Sequence, residues 1–265
     1  MPPDIHSTAI VDSSAKIGDN CTIGPYCMIG ENVSLGDNSN LHSHVVLDGD
    51  LTIGEHAEIF PFACIGKQTQ DLKFQGDAGD IRIGSNVTIR EYVTVNSPTS
   101  GEGSTTVGDD CHILAYCHIA HDCRVGNNVV MSNATNLAGH VIVDDHVVFG
   151  GLVGVHQFCR IGTMAMIGTH SKIVQDIAPY SLAEGNPAFP KTVNKVGMER
   201  NGINADDIRK VSAAHKKLFR SGLTQEQALT EIKEELGETE ELTSLITFVQ
   251  DSERGLARPR HKTNQ

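Results

Sequence analysis

Aliphatic or aromatic residues recur every six positions along most of this chain. The slot opens at Ile5 and continues through Val11, Ile17, Ile23, Ile29, Leu35, Leu41, Leu47, Ile53, Ile59 and Ile65. It resumes at Ile83, Ile89 and Val95, then holds without a break from Val107 to Ile173. Between Ile5 and Ile173 it fails only at Asp71, Asp77 and Gly101. A helix repeats about every 3.6 residues and a half-buried strand about every 2, so neither yields a period of six. A hexapeptide repeat of this extent predicts a mainly β chain, a parallel β-helix whose coils stack short strands into continuous sheets.

The failures mark two excursions, residues 67–80 and 96–106. Long loops on a rigid scaffold are where binding residues gather, although a tolerated surface insertion is the plainer reading of each. Past Ile173 the frame is broken by prolines and Gly185, and the period then turns helical. Ile208, Val211, Leu218 and Phe219 form one stripe, with Asn204 as N-cap and Gly222 as stop. Thr224 and Gln227 read as a capping box for a second helix carrying Leu229, Ile232 and Leu236 and closed by Gly237. Thr239 opens a third with Leu242, Leu245, Ile246 and Val249, and the tail 254–265 reads as polar and loose. The expected organisation is a β-helix over 1–187 and a small α-helical domain over 188–265.

Charge narrows the partners. A net charge of −12 argues against nucleic acid, which requires a basic footprint. No stretch approaches the roughly 18 apolar residues of a membrane span. The first residues lack the basic and apolar segments of a secretory signal, so a soluble, cytoplasmic protein is expected. Cys21, Cys27, Cys111, Cys117, Cys123 and Cys159 all fall two residues before an aliphatic slot, where Ala9, Ala15 and Ala57 also stand. That position is a small inward corner, so these cysteines read as core residues; Cys64 lies off this frame.

With three hexads per coil, residues 18 apart stack at the spacing of neighbouring strands, ~4.8 Å. His121, Gly139 and Gln157 then share a column, flanked by Asp122 and His140 on one side and by Ala120, Ala138 and His156 on the other. His118 falls on the next face or corner. Two chemistries suit such a strip. A histidine beside a carboxylate is a general base, and three imidazoles could instead hold zinc with an open fourth position. Gly139 favours the base, since its backbone N–H could meet a developing oxyanion.

The segments HisIleAlaHisAspCys (118–123), LeuAlaGlyHisVal (137–141), ValHisGlnPheCys (155–159) and GlnAspLeuLys (70–73) carry a resemblance. The chain resembles the UDP-N-acetylglucosamine O-acyltransferases that begin lipid A synthesis, collinearly over nearly its whole length. That resemblance implies a left-handed parallel β-helix, a homotrimer with active sites between subunits, and no metal or other cofactor. It implies transfer of a 3-hydroxyacyl group from acyl carrier protein to the glucosamine 3-hydroxyl of UDP-N-acetylglucosamine. His121 matches the general base, Asp122 its orienting carboxylate and Gly139 the oxyanion donor. Gln70, Asp71, Lys73, His118, His140, His156 and Gln157 match positions that contact sugar, phosphates or acyl chain. Asn194 and Arg200 match the nucleotide-contacting segment, where Val196 replaces an acidic residue of some members. Thr169 matches the floor of the acyl pocket, glycine where long chains are accepted, so shorter donors are expected.

Acyl carrier proteins are acidic. Between 191 and 220 eight basic residues, among them Arg209, Lys210, Lys216, Lys217 and Arg220, stand against three acidic ones, which suggests a docking patch. A solvated helix face is the plainer alternative. Three rivals complete the set: the N-acyltransferase of the same pathway, whose extra N-terminal domain finds no room here; a zinc hydratase of the γ-carbonic anhydrase type; and a non-catalytic assembly module.

Overall fold

The computed structural model describes residues 1–259. Its body is a prism of three parallel sheets, wound as a left-handed β-helix. The first sheet runs from strand 4–5 through 112–113 and 166–167 to 188–193. The second includes 64–67, 94–96, 118–119, 136–137, 154–155 and 172–173; the third includes 80–83, 104–107, 124–125, 142–143 and 160–161.

Each inward slot meets its counterpart one coil away. Ile119 pairs with Leu137 and Leu137 with Val155, and all of these side chains are buried. A buried side chain of this kind contributes about 1.5–3 kcal/mol. The corner cysteines are buried among them, and the thiols of Cys21, Cys27, Cys111, Cys117 and Cys123 donate to carbonyls one coil on, as Cys123 Sγ does to Ala138 O. Burial pushes the Cys123 thiol up to about 12 and those of Cys111, Cys117 and Cys159 to about 11, which leaves them poor nucleophiles.

Corners are turned by residues in the left-handed region, Asp122, His140 and Phe158 among them, with φ of 58°, 60° and 64°. Such a conformation costs about 1–2 kcal/mol in an L-residue. The coil-to-coil ladder offsets it: the His140 N–H donates to His121 O, and the Phe158 N–H to Gly139 O.

Pairing also locates the excursions. Glu58 pairs with Thr88 and Thr88 with His112, and both steps are longer than the uninterrupted coil that joins His112 to Val130. Both loops leave the same edge of the prism. The Ser97 N–H donates to Lys67 O, and strand 80–83 pairs with 104–107.

Beyond Ile173 the structure departs from the frame without leaving the prism. Ile161 bridges to Ile177 and Ile167 pairs with Ala183, so the last coil is shorter than the others. That shortening hides a continuing core from a strict period of six. The proline-rich stretch forms an antiparallel hairpin, 181–185 with 188–193, that extends the first sheet. The division suggested at 187/188 falls within this hairpin.

Four helices follow: α1 (Lys195–Arg200), α2 (Ala205–Arg220), α3 (Gln225–Leu236) and α4 (Glu240–Gln250). Caps at Asn204, Thr224 and Thr239 and the capping box with Gln227 lie where the pattern placed them; the short α1, capped by Asn194, was not foreseen. The tail corrects an expectation. Residues 251–257 are strapped to the last coil, with Ser252 Oγ donating to the buried Asp176 carboxylate and the Ala257 N–H to Asp176 O. The rest of the tail, 260–265, lies outside the described residues.

Candidate active site

His121 lies in the turn after strand 118–119, at the corner between the second and third sheets. Its Nδ1 lies 2.9 Å from Asp122 Oδ2. A carboxylate only accepts, so Nδ1 carries the proton and Nε2 keeps a free lone pair. Both side chains are nearly enclosed, 13% and 12% exposed. Burial alone would push the Asp122 carboxyl up; hydrogen bonds from His121 and Thr99 outweigh it and hold the group below its usual range. Asp122 is therefore ionised at neutral pH.

Gly139 sits one coil away beneath the imidazole. It is buried, and among the described residues its N–H has no hydrogen-bond acceptor. The N–H groups of His121 and Gln157, at the same turn position in the adjacent coils, likewise have no acceptor among the described residues; at Gly139 the absence of a side chain leaves that donor open beside the imidazole. Asp71, delivered by the first loop, brings Oδ2 to 3.9 Å from His121 Nε2. A hydroxyl can approach both, at about 2.8 Å from each.

The remaining histidines are held in distinct ways. His140 stacks on Phe158 with centroids 4.7 Å apart, meets His121 in an edge-to-face arrangement, and brings Nε2 to 3.7 Å from Asp122 Oδ2. His118 meets Thr94 Oγ1 at 2.7 Å; burial and then the neighbouring His121 lower its pKa, which keeps it neutral. His156 Nδ1 has two contacts, Arg254 Nη2 at 2.9 Å and Gln157 O at 3.1 Å. A guanidinium can only donate, and its contact is charged and shorter, so Nδ1 accepts and Nε2 carries the proton.

Two cavities flank the corner. On the second sheet a groove of about 460 Å³ passes over Ala120, Ala138, Gly139 and Gly154, with Gln70, His118 and His156 at its walls. Its small residues leave an apolar floor. On the third sheet a polar cavity of about 590 Å³ is lined by Asp122, His140, Arg124, Arg160 and Arg254. His121, Asp122 and His140 also present atoms within 4.8 Å of one another, a set that could hold a metal ion.

Not every expected site residue joins this cluster. The Lys73 side chain is exposed, though its backbone N–H donates to Asp71 Oδ1. Gln157 is exposed beside His156. Thr169 stands exposed in the turn between the first and second sheets, outside the groove lining. Asn194 caps α1 and donates to Met164 O, and Arg200 is exposed at the end of α1, so neither reaches His121 within one chain.

The basic patch is smaller than its sequence count. Lys217 pairs with Glu231 and Glu235 of α3, at 2.6 and 2.9 Å, and Lys210 and Arg209 pair with Asp206. Arg220 donates to Lys191 O. Counting only residues 191–220 missed the glutamates that α3 lays against α2. Among the described residues, Lys216 and Arg200 have no ion-pair partner.

Sequence reasoning missed Thr94, Thr99, Phe158 and Arg254 as partners of the site. Phe158 was within reach, since it stands one full coil after His140 in the same column. Arg254 is far from His156 in the chain, and no periodicity links them.

Comparison with known proteins bears on the arrangement. A family profile described as Udp N-acetylglucosamine O-acyltransferase; Domain 2 matches residues 176–257, and one for the bacterial transferase hexapeptide matches 14–49 and 104–139. An acyl-[acyl-carrier-protein]–UDP-N-acetylglucosamine O-acyltransferase of Burkholderia orbicola is 42% identical over 199 residues, 73% of this chain and 76% of the relative. The UDP-N-acetylglucosamine acyltransferase of Francisella novicida superposes with a TM-score of 0.94 at 38% identity, over 97% of this chain and 95% of that one. LpxA from Acinetobacter baumannii gives 0.92 at 43% identity, over 96% and 99%.

Proposed function

The chain belongs to the UDP-N-acetylglucosamine O-acyltransferases, and from that premise we propose a mechanism for its own residues. It is an acyltransferase that takes an acyl group from acyl carrier protein to UDP-N-acetylglucosamine, the first step of lipid A synthesis. The donor is a 3-hydroxyacyl thioester and the acceptor the glucosamine 3-hydroxyl.

His121 Nε2 removes the hydroxyl proton as the oxygen attacks the thioester carbonyl. The Nδ1–H of the resulting imidazolium stays on the Asp122 carboxylate, which stabilises the positive charge. The tetrahedral oxyanion is received by the unpaired Gly139 N–H, and collapse expels the carrier thiolate, which recovers a proton from His121. Attack is direct, so no acyl-enzyme is needed and the buried cysteines have no part. Asp71 orients the acceptor, and Lys73 offsets diphosphate charge. The apolar groove takes the acyl chain.

One observation carries this reading: a single imidazole bonded to an ionised carboxylate lies against Gly139, whose N–H has no acceptor among the described residues and which lines an apolar groove. Thr169 stands on another turn of the prism, and Asn194 and Arg200 at the two ends of α1. Assembly as a trimer with sites between subunits would bring them to the substrates, and the homotrimer is accordingly part of the proposal. No helix among the described residues is long and apolar enough to cross a membrane. Activity in the cytoplasm, where acyl carrier protein and nucleotide sugar meet, completes it.

The test is incubation of purified protein with 3-hydroxyacyl carrier protein and UDP-N-acetylglucosamine, with the product identified by mass and alkaline lability. A 3-O-acyl ester is expected. Acylation only of a 3-amino analogue would contradict the acceptor assignment.

A further inference from the structure

The loop 96–106 falls outside the repeat, and no role in the reaction attaches to it so far. Its residues nevertheless surround the Asp122 carboxylate. The Thr99 Oγ1 donates to Asp122 Oδ2 at 2.8 Å and the Thr99 N–H reaches the same oxygen at 3.2 Å. The Asp122 N–H in turn donates to Thr105 Oγ1 at 2.9 Å. On the other side Gly103 passes so close that a Cβ there would lie 2.6 Å from Asp122 Oδ1.

From this geometry we propose that Thr99 is a positioning residue of the reaction, fixing the Asp122 carboxylate so that Oδ2 faces His121 Nδ1. The same oxygen accepts from both Thr99 and His121. Asp122 sits at a left-handed corner, and among the described residues the other charged or titratable side chain within ion-pair distance of its carboxylate is His140, whose Nε2 lies 3.7 Å from Oδ2. Without Thr99 the carboxylate can swing towards His140, and the His121 tautomer loses its anchor. A base whose lone pair must lie on Nε2 depends on that anchor.

The two loops act as one unit in this role. Gly79 of the first packs against the Gly103 carbonyl of the second, and a Cβ on Gly101 would meet the Asp77 carboxylate. The first loop brings Asp71 to Nε2 while the second holds Asp122 against Nδ1, so both nitrogens of one imidazole are addressed from paired insertions.

The inference rests on His121 as the base, so His121→Ala is measured alongside. Thr99→Val removes the hydroxyl donor while keeping its shape, and Thr99→Ser restores it. The expected result is a kcat about 10- to 100-fold lower in Thr99→Val. KM for both substrates should stay within about twofold, and Thr99→Ser within about threefold of the unmodified enzyme. Gly103→Ala, which presses a methyl group on Oδ1, is expected to lower kcat alone. Nitrogen resonances of labelled His121 should show a single Nδ1–H tautomer in the unmodified protein and a mixture in Thr99→Val. Unchanged kcat and a single tautomer in Thr99→Val would overturn the assignment. So would an equal loss in Thr99→Ser, since that would mark side-chain shape and not the hydrogen bond. If His121→Ala is fully active the base itself is wrong; if it is dead while Thr99→Val is normal, only the role of Thr99 falls.

Discussion

The imidazole of His121 occupies the space that any side chain at position 139 would need. A Cβ on Gly139 would fall inside contact distance of Cε1 and Nε2, and 3.0 Å from Nδ1. Glycine here is a steric requirement of the base and at the same time leaves its N–H unobstructed by a side chain.

Gly139→Ala should therefore damage catalysis far more than stability. Displacing the ring and disturbing the N–H together are expected to lower kcat by about 10²–10³. Thermal unfolding should move little, because the corner lies outside the inward slots. Steady-state kinetics beside a melting curve checks both halves.

His215 gives the helical region a pH dependence of its own. It is buried in α2 against Phe219, its Nε2 has no hydrogen-bond partner among the described residues, and burial, with Arg220 adding to it, lowers its pKa to about 4. The unfolded chain titrates near the ordinary value of about 6.5, so between these values the unfolded state binds more protons. Stability is then complete above about pH 6.5 and falls as pH drops towards 4, by about 3 kcal/mol in all. Urea midpoints at pH 7 and pH 5 should show the fall, and His215→Phe should flatten it.

Charge reversal separates two neighbouring lysines of α2. Lys216 is exposed with no ion-pair partner among the described residues, while Lys217 is held by Glu231 and Glu235. Lys216→Glu is expected to raise KM for the acyl carrier protein several-fold, more so at low salt. Lys217→Glu should instead lower the melting temperature by setting three carboxylates together. If Lys216→Glu leaves that KM unchanged, carrier docking is not on this face.

Thr169→Gly tests the acyl floor. Relative to the parent, the variant should gain activity with longer 3-hydroxyacyl donors in a chain-length series. No gain would remove Thr169 from the acyl site.

Much of this architecture could be read from the chain because a solenoid converts sequence spacing into spatial neighbours. The column arithmetic that stacked Gly139 on His121 and His140 on Asp122 needed only an unbroken frame from 107 to 173. It failed where register slips, as at Ile177 and Ala183, which pair with Ile161 and Ile167 before a full coil is complete. The helical caps were legible because Asn204, Thr224 and Thr239 act on their own next turn. Thr99 and Arg254 were not, since a loop and a terminal strap obey no period and reach the site through tertiary packing alone. The pairing of Lys217 was missed for a similar reason: its partners come from another helix.

The most direct measurement of the central claim is a rapid-quench single turnover with saturating acyl carrier thioester and UDP-N-acetylglucosamine, comparing His121→Ala with the unmodified enzyme. If that imidazole removes the acceptor proton, acyl transfer should slow by about 10²–10⁴ while both substrates still bind. Transfer within tenfold of the unmodified rate would contradict the account.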